Sequence, residues 1–144
     1  HARFDAIART YHYFIHWEKD PFLNDRSWEV RHAPNFDAMN EAAKHLIGKQ
    51  DFTSLSKIHT DVKTNICDVR TAEWTKTSDT TAYFEITADR FLRNMVRATV
   101  GTLMDVGQGK LNVDDVKIIL EAKDRQAAST SVPAHGLFLW KVEY

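Results

Sequence analysis

Two arginines, Arg93 and Arg97, are the residues whose type and spacing most directly suggest chemistry. They stand four residues apart in a largely apolar stretch, residues 91–107, whose periodicity predicts an amphipathic helix. At that spacing both side chains lie on one face of a helix. Burying a cation without an anion costs on the order of several kcal/mol, so each arginine needs an anionic partner. Three partners stay open at this point: a structural carboxylate, a phosphate or a catalytic group.

Other residue types that carry chemistry form weaker patterns. His12 and His16 have the spacing of a helical zinc pair, but in a strand that spacing is roughly 13 Å, which is too far for one ion. Cys67 lies in an apolar strand pattern, which is typical of a buried thiol rather than a nucleophile. The sequence has neither a phosphate-binding loop nor a dinucleotide fingerprint. We therefore expect no metal site and no cofactor.

The length and composition of the chain indicate one ordinary globular domain over residues 1–144. The chain is 43% hydrophobic and 27% charged, which is typical of a globular protein. Its formal net charge of −1 does not indicate nucleic-acid binding. Local basic patches can still meet phosphates. A single cysteine fits a reducing compartment, and no apolar run approaches the ~18 residues of a membrane span. We expect a cytoplasmic protein that does not contact a membrane. Because the first residue is His1, we also expect the chain to be a piece of a longer protein.

Periodicity and turn chemistry predict a strand, a helix, two strands, two helices and a final strand. Asn35 and Asn112 are predicted N-caps. The last strand is apolar on both faces at its start, which predicts a central, covered strand. The predicted strands cover residues 9–17, 65–75, 81–88 and 136–144, the predicted helices cover 36–47, 90–106 and 113–123, and the predicted loops include 18–34 and 124–135.

This element order predicts an α+β fold. Its sheet is mixed but mainly antiparallel, and the helices pack largely on one face. In the first strand, alternation places Tyr11 and Tyr13 on the same face. Each tyrosine is either a packing residue or a platform for a nucleic-acid base.

Four groups of segments stand in order along nearly the whole chain: residues 1–6 and 8–13 (HARFDA and ARTYHY), 51–54 (DFTS), 91–97 with 101–107 (FLRNMVR and GTLMDVG), and 121–125 with 132–139 (EAKDR and VPAHGLFL). Together they resemble the second domain of the TruA family of tRNA pseudouridine synthases. The resemblance implies half of a pseudouridine synthase catalytic fold.

The activity implied by this resemblance is isomerisation of uridine to pseudouridine in the anticodon stem-loop of tRNA. The enzyme breaks the N-glycosidic bond, turns the uracil and rejoins it through carbon, without cofactor or metal. By resemblance, Tyr11 matches the tyrosine beside the target base, Arg97 the basic partner of a catalytic aspartate, and Leu137 the apolar residue of the site. The candidate RNA contacts are Arg3, Arg9 and Arg93.

The catalytic aspartate of the family has no counterpart here. In the family it belongs to an Arg-Thr-Asp-x-Gly-Val-His segment in the N-terminal half, and no such segment occurs in this sequence. We therefore expect this chain to be inactive alone and to need its own N-terminal domain. The resemblance also implies tRNA and a second copy as partners. The competing hypothesis is a non-catalytic RNA-binding or dimerisation module with the same fold.

Overall fold

β-Branched and aromatic residues alternate along the strands and build a six-stranded sheet. The computed structural model describes residues 6–57 and 64–144. The strands are β1 (Ala8–His16), β2 (Trp28–Glu29), β3 (Gly48–Asp51), β4 (Ile66–Lys76), β5 (Thr81–Ala88) and β6 (Leu137–Glu143), and the helices are α1 (Phe36–Ala43), α2 (Met95–Gly107) and α3 (Asp115–Ala122). Short 3₁₀ turns cover Lys44–Leu46, Thr53–Leu55, Arg125–Ala127 and Ala134–Gly136.

The sheet is mixed and mainly antiparallel, as predicted. Its order is β2-β1-β5-β4-β3. β6 lies off this path and pairs with the first part of β1, whereas β2 pairs with the last part of β1. Every pairing is antiparallel except that of β1 with β2. The predicted α+β class is therefore confirmed.

One face of this sheet carries the hydrophobic core. Tyr13 and Ile15 of β1 and Phe84 and Ile86 of β5 are buried there. They belong to one cluster with residues of all three helices, among them Met39, Met95, Leu103, Val116 and Leu120. Because these helices cover the same face, they hold β1 and the start of α2 in a fixed relation.

The start of α2 differs from the prediction. The helix begins at Met95, and Asn94 before it has a left-handed backbone with φ of 69°. A left-handed residue cannot continue an α-helix, so Arg93 lies in the turn that precedes α2. The expectation that Arg93 and Arg97 share a helix face is therefore wrong.

Other element boundaries also needed correction. The predicted helix over 36–47 ends as an α-helix at Ala43, and Asp114 rather than Asn112 precedes the first residue of α3. β2 and β3 lie in segments that were predicted as loop or helix end. Both strands are short, with two and four residues, which gives alternation too few positions to be recognised.

The prediction of a covered, central final strand is wrong within the described residues. There β6 pairs only with β1, and Phe138, Leu139 and Trp140 are 38%, 53% and 58% exposed. An apolar run indicates that a strand is suited to burial, but it does not indicate whether the same chain or another polypeptide buries it. β6 therefore offers an open edge and an uncovered apolar surface.

Two further sequence expectations concern single features. Cys67 is buried, and burial raises the pKa of its thiol to about 11, which leaves it protonated and unreactive at neutral pH. Across the described part of the chain, none of the helices has the length and apolar character needed to cross a bilayer.

We predict that Gly101→Ala destabilises the protein, because α2 meets the segment 129–132 at that residue. A Cβ atom on Gly101 would lie 2.0 Å from the backbone oxygen of Thr130. Such overpacking costs about 1–3 kcal/mol, which exceeds the gain of about 1 kcal/mol that alanine brings to a helix. Urea denaturation measures the change, and an increased free energy of unfolding would contradict the close approach.

Candidate active site

A cleft of about 290 Å³ opens between β1, the start of β6 and the start of α2. Its lining includes Tyr11, Arg97 and Leu137, the three residues that the resemblance marks as catalytic candidates. They come from distant parts of the sequence, and pairing of β6 with β1 and packing of α2 on the sheet bring them together. Arg93 and Asn94 line the same cleft.

Tyr11 is held by its strand and by one aromatic neighbour. It lies opposite Ile86 of β5 and Leu139 of β6 in the sheet register. The ring of Phe91 meets the Tyr11 ring edge to face, with centroids 4.9 Å apart and an interplanar angle of 85°. Tyr11 remains half-buried in the wall of the cleft. It can therefore present one aromatic surface and a phenolic hydroxyl to a ligand.

Within the described residues, Arg97 is fixed through one of its side-chain nitrogen atoms. Its Nε donates to the backbone oxygen of Val132 at 2.8 Å, and the Val132 N–H donates back to the Arg97 carbonyl at 3.2 Å. Among the described residues, no carboxylate lies within ion-pair distance of the guanidinium. A structural carboxylate is thus not its partner in the described part of the chain, and both Nη groups are available to an anion.

Leu137 follows a very close contact between the 3₁₀ turn Ala134–Gly136 and β1. A Cβ atom at Gly136 would lie 2.9 Å from both the Phe14 carbonyl oxygen and the Tyr13 ring, so a larger residue would push the turn away. This contact sets the start of β6, where Leu137 pairs with Tyr13 and packs half-buried against the core. Leu137 therefore supplies an apolar wall to the cleft.

Tyr13 has a different environment from Tyr11, although both follow the same alternation. Its side chain is fully buried, and its hydroxyl donates to the Pro133 carbonyl at 2.5 Å. Burial raises the pKa of Tyr13 well above its usual value, and the positive charge of Arg97 offsets part of that rise. Tyr13 therefore stays protonated and anchors Pro133.

The candidate RNA contacts are scattered. Arg93 is exposed at the rim of the cleft, and Arg9 is a half-exposed residue of β1, two positions before Tyr11 and outside the lining of the cleft. Arg3 lies outside the described residues. Of the three, only Arg93 is therefore seen at the cleft itself.

The two histidines that suggested a metal pair are engaged separately. Nε2 of His12 lies 2.9 Å from a Glu85 oxygen, and Nδ1 of His16 lies 2.8 Å from the Ser27 hydroxyl. The described residues contain no group of three His, Cys, Asp or Glu side chains that could hold a metal ion. Among the described residues, the cleft therefore offers the guanidinium groups of Arg93 and Arg97, the phenol of Tyr11, the amide of Asn94 and an apolar wall.

The sequence predicts a loop or binding segment over residues 124–135, and this prediction missed how residues 129–136 contribute to the site. In the structure this segment anchors Arg97 through Val132 and Tyr13 through Pro133. The available signals were Gly101 in the middle of a helix and Gly136 before a strand, since an isolated glycine inside an element often marks a close backbone approach.

Comparison with known proteins defines the class of protein to which this cleft belongs. Residues 42–144 match the family described as tRNA pseudouridine synthase. The chain is similar over its whole length to tRNA pseudouridine synthase A of Bacteroides fragilis at 56% identity, of Parabacteroides distasonis at 54% and of Bacillus subtilis at 45%. The chain therefore belongs to the tRNA pseudouridine synthase family. It spans 57% of the length of the first two relatives and 59% of the third.

Proposed function

We propose that the protein containing this chain converts uridine to pseudouridine in the anticodon stem-loop of tRNA, and that this chain forms the C-terminal half of the active site. We expect the reaction to occur in the cytoplasm. The observation that carries the proposal is the cleft that gathers Tyr11, Arg97 and Leu137 while both Nη groups of Arg97 have no carboxylate partner among the described residues.

In this proposal Arg97 pairs with a catalytic aspartate supplied by the N-terminal domain. Because Nε is already bonded to Val132, the carboxylate approaches the two Nη groups end-on. Such a two-point, charge-assisted pair fixes the direction of the carboxylate. The adjacent positive charge also keeps the aspartate ionised, as a nucleophile requires.

Tyr11 is proposed to act on the uracil base itself. The base must leave its helical stack to reach an active site, and a phenol ring in the cleft wall offers a stacking surface. When the base rejoins ribose through C5, the hydrogen on C5 leaves as a proton and N1 gains one. The Tyr11 hydroxyl is the candidate group to receive or relay that proton. Leu137 forms the apolar wall against which the base turns.

Three basic residues are proposed to hold the RNA backbone. Arg93 is exposed at the rim of the cleft, where its guanidinium can pair with a phosphate beside the extruded nucleotide. Arg9 lies on the strand that leads to Tyr11, and Arg3 remains a prediction from the resemblance alone.

The N-terminal domain is proposed to dock along β6. The outer edge of this strand has no strand partner among the described residues, and Leu139 and Trp140 are more than half exposed. Unpaired backbone groups on an apolar edge strand favour addition of another strand. A domain docked there would lie next to Leu137, at the mouth of the cleft.

A second copy of the protein is proposed to cover the sheet face opposite the helices. This face carries a cluster of aromatic rings, in which Phe14 contacts Tyr83, Phe138 and Trp140 with ring centroids 5.8–5.9 Å apart. A groove of about 680 Å³ lies beside Phe14, Phe138 and Trp140. Exposed apolar clusters of this kind mark protein interfaces. The family resemblance favours a homodimer as the occupant.

We predict that Arg97→Lys and Arg97→Ala in the full-length protein each reduce the rate of pseudouridine formation about 100-fold or more. Breaking a desolvated ion pair costs about 3–5 kcal/mol, and lysine cannot reproduce the planar two-point contact. Release of tritium from C5-labelled uridine in tRNA, under single-turnover conditions, measures the rate.

Arg93→Ala is the matched control for Arg97, because it removes an exposed guanidinium from the same cleft. It should weaken tRNA binding and leave the rate at saturating protein unchanged. Parental turnover by Arg97→Lys would contradict the ion pair. Absence of pseudouridine formation by the parent full-length protein would favour the binding-module hypothesis, and turnover by the present chain alone would show that the nucleophile lies within it.

We predict that Tyr11→Phe and Tyr13→Phe have opposite phenotypes. Tyr11→Phe should reduce the rate about 100-fold or more, as expected for loss of a general acid or base, with the melting temperature unchanged. Tyr13→Phe leaves the Pro133 carbonyl unpaired and should cost about 1–3 kcal/mol of stability, with a rate close to the parent. Single-turnover rates and thermal melts of both variants test this assignment. Reversed phenotypes would show that Tyr13 is the catalytic residue.

We predict that Phe138→Arg converts the proposed homodimer into a monomer, because it places a charge within the aromatic cluster. The control is Ile118→Arg, which charges an apolar residue that is 63% exposed on α3, an element of the helical face. Light scattering after gel filtration measures the mass. A dimer that persists in Phe138→Arg and dissociates in Ile118→Arg would assign the interface to the helices instead.

A further inference from the structure

The segment 129–132 lies along α2 and is bonded to it at both ends. Ser129 donates its hydroxyl to Asp105 at 2.5 Å near the end of the helix. At the other end, Val132 and Arg97 exchange two hydrogen bonds. Between them, the absence of a side chain at Gly101 lets Thr130 approach the helix backbone. The position of the Val132 carbonyl, and with it the direction of Arg97, depends on how the Ser131–Val132 end of this segment is held.

Ser131 is the point where the segment is tied to the mouth of the cleft. Its Oγ accepts one hydrogen bond from Asn94 Nδ2 at 2.6 Å and another from Arg125 Nη2 at 3.0 Å. A hydroxyl oxygen has two acceptor sites, so these two donors use both. The next residue is Val132, whose carbonyl holds Arg97. Displacement of Ser131 therefore displaces the anchor of Arg97.

Asn94 is held in a conformation that few residues other than glycine adopt. Its φ is 69°, a left-handed value that asparagine adopts more readily than most other side-chain-bearing residues do. Although it precedes α2 directly, its side chain does not cap the helix. Asn94 lines the cleft, and its amide instead donates to Ser131.

We propose that Asn94, Ser131 and Arg125 are positioning residues for Arg97, an inference that rests on the proposed function. They fix the Val132 carbonyl, which occupies Arg97 Nε and aims the two Nη groups into the cleft. Without these bonds the guanidinium can rotate about its anchor, and the end-on approach of the carboxylate is no longer defined. Ser131 and Val132 then belong to the active site although they touch no substrate.

The test is Ser131→Ala in the full-length protein. It should lower the single-turnover rate of pseudouridine formation at least about tenfold, because misplacement of a catalytic group by about 1 Å costs up to about 100-fold. The dissociation constant for tRNA should stay within about twofold of the parent. Ser131→Thr keeps the hydroxyl and should restore most of the rate.

Ser129→Ala is the matched control, because it removes a hydrogen-bonded hydroxyl from the same segment at the end far from Arg97. It should lower the melting temperature and leave the rate unchanged, whereas Ser131→Ala should lower the rate. In an Arg97→Lys background, Ser131→Ala should cause no more than about a twofold further loss, because residues acting through one group are not additive.

Three results would overturn the inference and leave the proposed function standing. They are equal rates for Ser131→Ala and the parent, equal rate losses for Ser131→Ala and Ser129→Ala, and full additivity of Ser131→Ala with Arg97→Lys. A parent protein without pseudouridine formation would overturn the proposed function itself. Parental turnover by Arg97→Lys would refute the proposed role of Arg97 and therefore also this inference, but it would leave the proposed reaction standing.

Discussion

The contact between α2 and the segment 129–132 is the constraint on which the candidate site depends. Gly101 lets the two backbones approach, and the reciprocal hydrogen bonds of Arg97 and Val132 fix their register. Further along the same segment, Pro133 accepts the hydroxyl of Tyr13, so the segment is also tied to β1. This crossing adds a direct link between the start of α2 and β1 to the packing of α2 on the sheet, and so helps to set the walls of the cleft relative to one another.

The described part of the chain combines a well-formed core with an unpaired functional group. One continuous cluster of buried side chains joins the sheet to all three helices, as expected of an independently packed domain. The guanidinium of Arg97, however, has no anion among the described residues, and β6 has an open outer edge beside it. A half-buried cation next to an open edge is a natural place for a carboxylate brought by another domain. The physical and the family arguments thus favour the same partner.

The α+β class and the long elements could be predicted because their signals are local. β1, β4 and β5 follow alternation, and the apolar stripe of α2 follows helical periodicity. The start of α2 could not be predicted, because the left-handed backbone of Asn94 breaks a run whose composition continues to favour helix. The segment 129–136 has small residues and no period, and its partners are distant in sequence: Arg97 is 35 residues from Val132, and Tyr13 is 120 residues from Pro133. Only the folded chain therefore reveals its role. The exposure of β6 was missed for a related reason: an apolar sequence indicates that a strand is suited to burial, but not whether the same chain buries it.

The arrangement also explains why arginine, rather than lysine, suits this position. Arg97 lines the cleft and has two tasks that need donors in fixed relative directions: Nε bonds the Val132 carbonyl, and the Nη groups are proposed to meet the incoming carboxylate. A planar guanidinium performs both at once, because anchoring Nε fixes the plane and therefore the direction of the two remaining nitrogens. A lysine has one nitrogen in place of three, so its ammonium group would have to bond both the carbonyl and the incoming anion. Its three hydrogens also rotate about the Cε–Nζ bond, which leaves their directions unfixed. The structural bond of Arg97 is thus what gives its functional end a direction, which is why residues that hold the Val132 carbonyl can influence chemistry they do not touch.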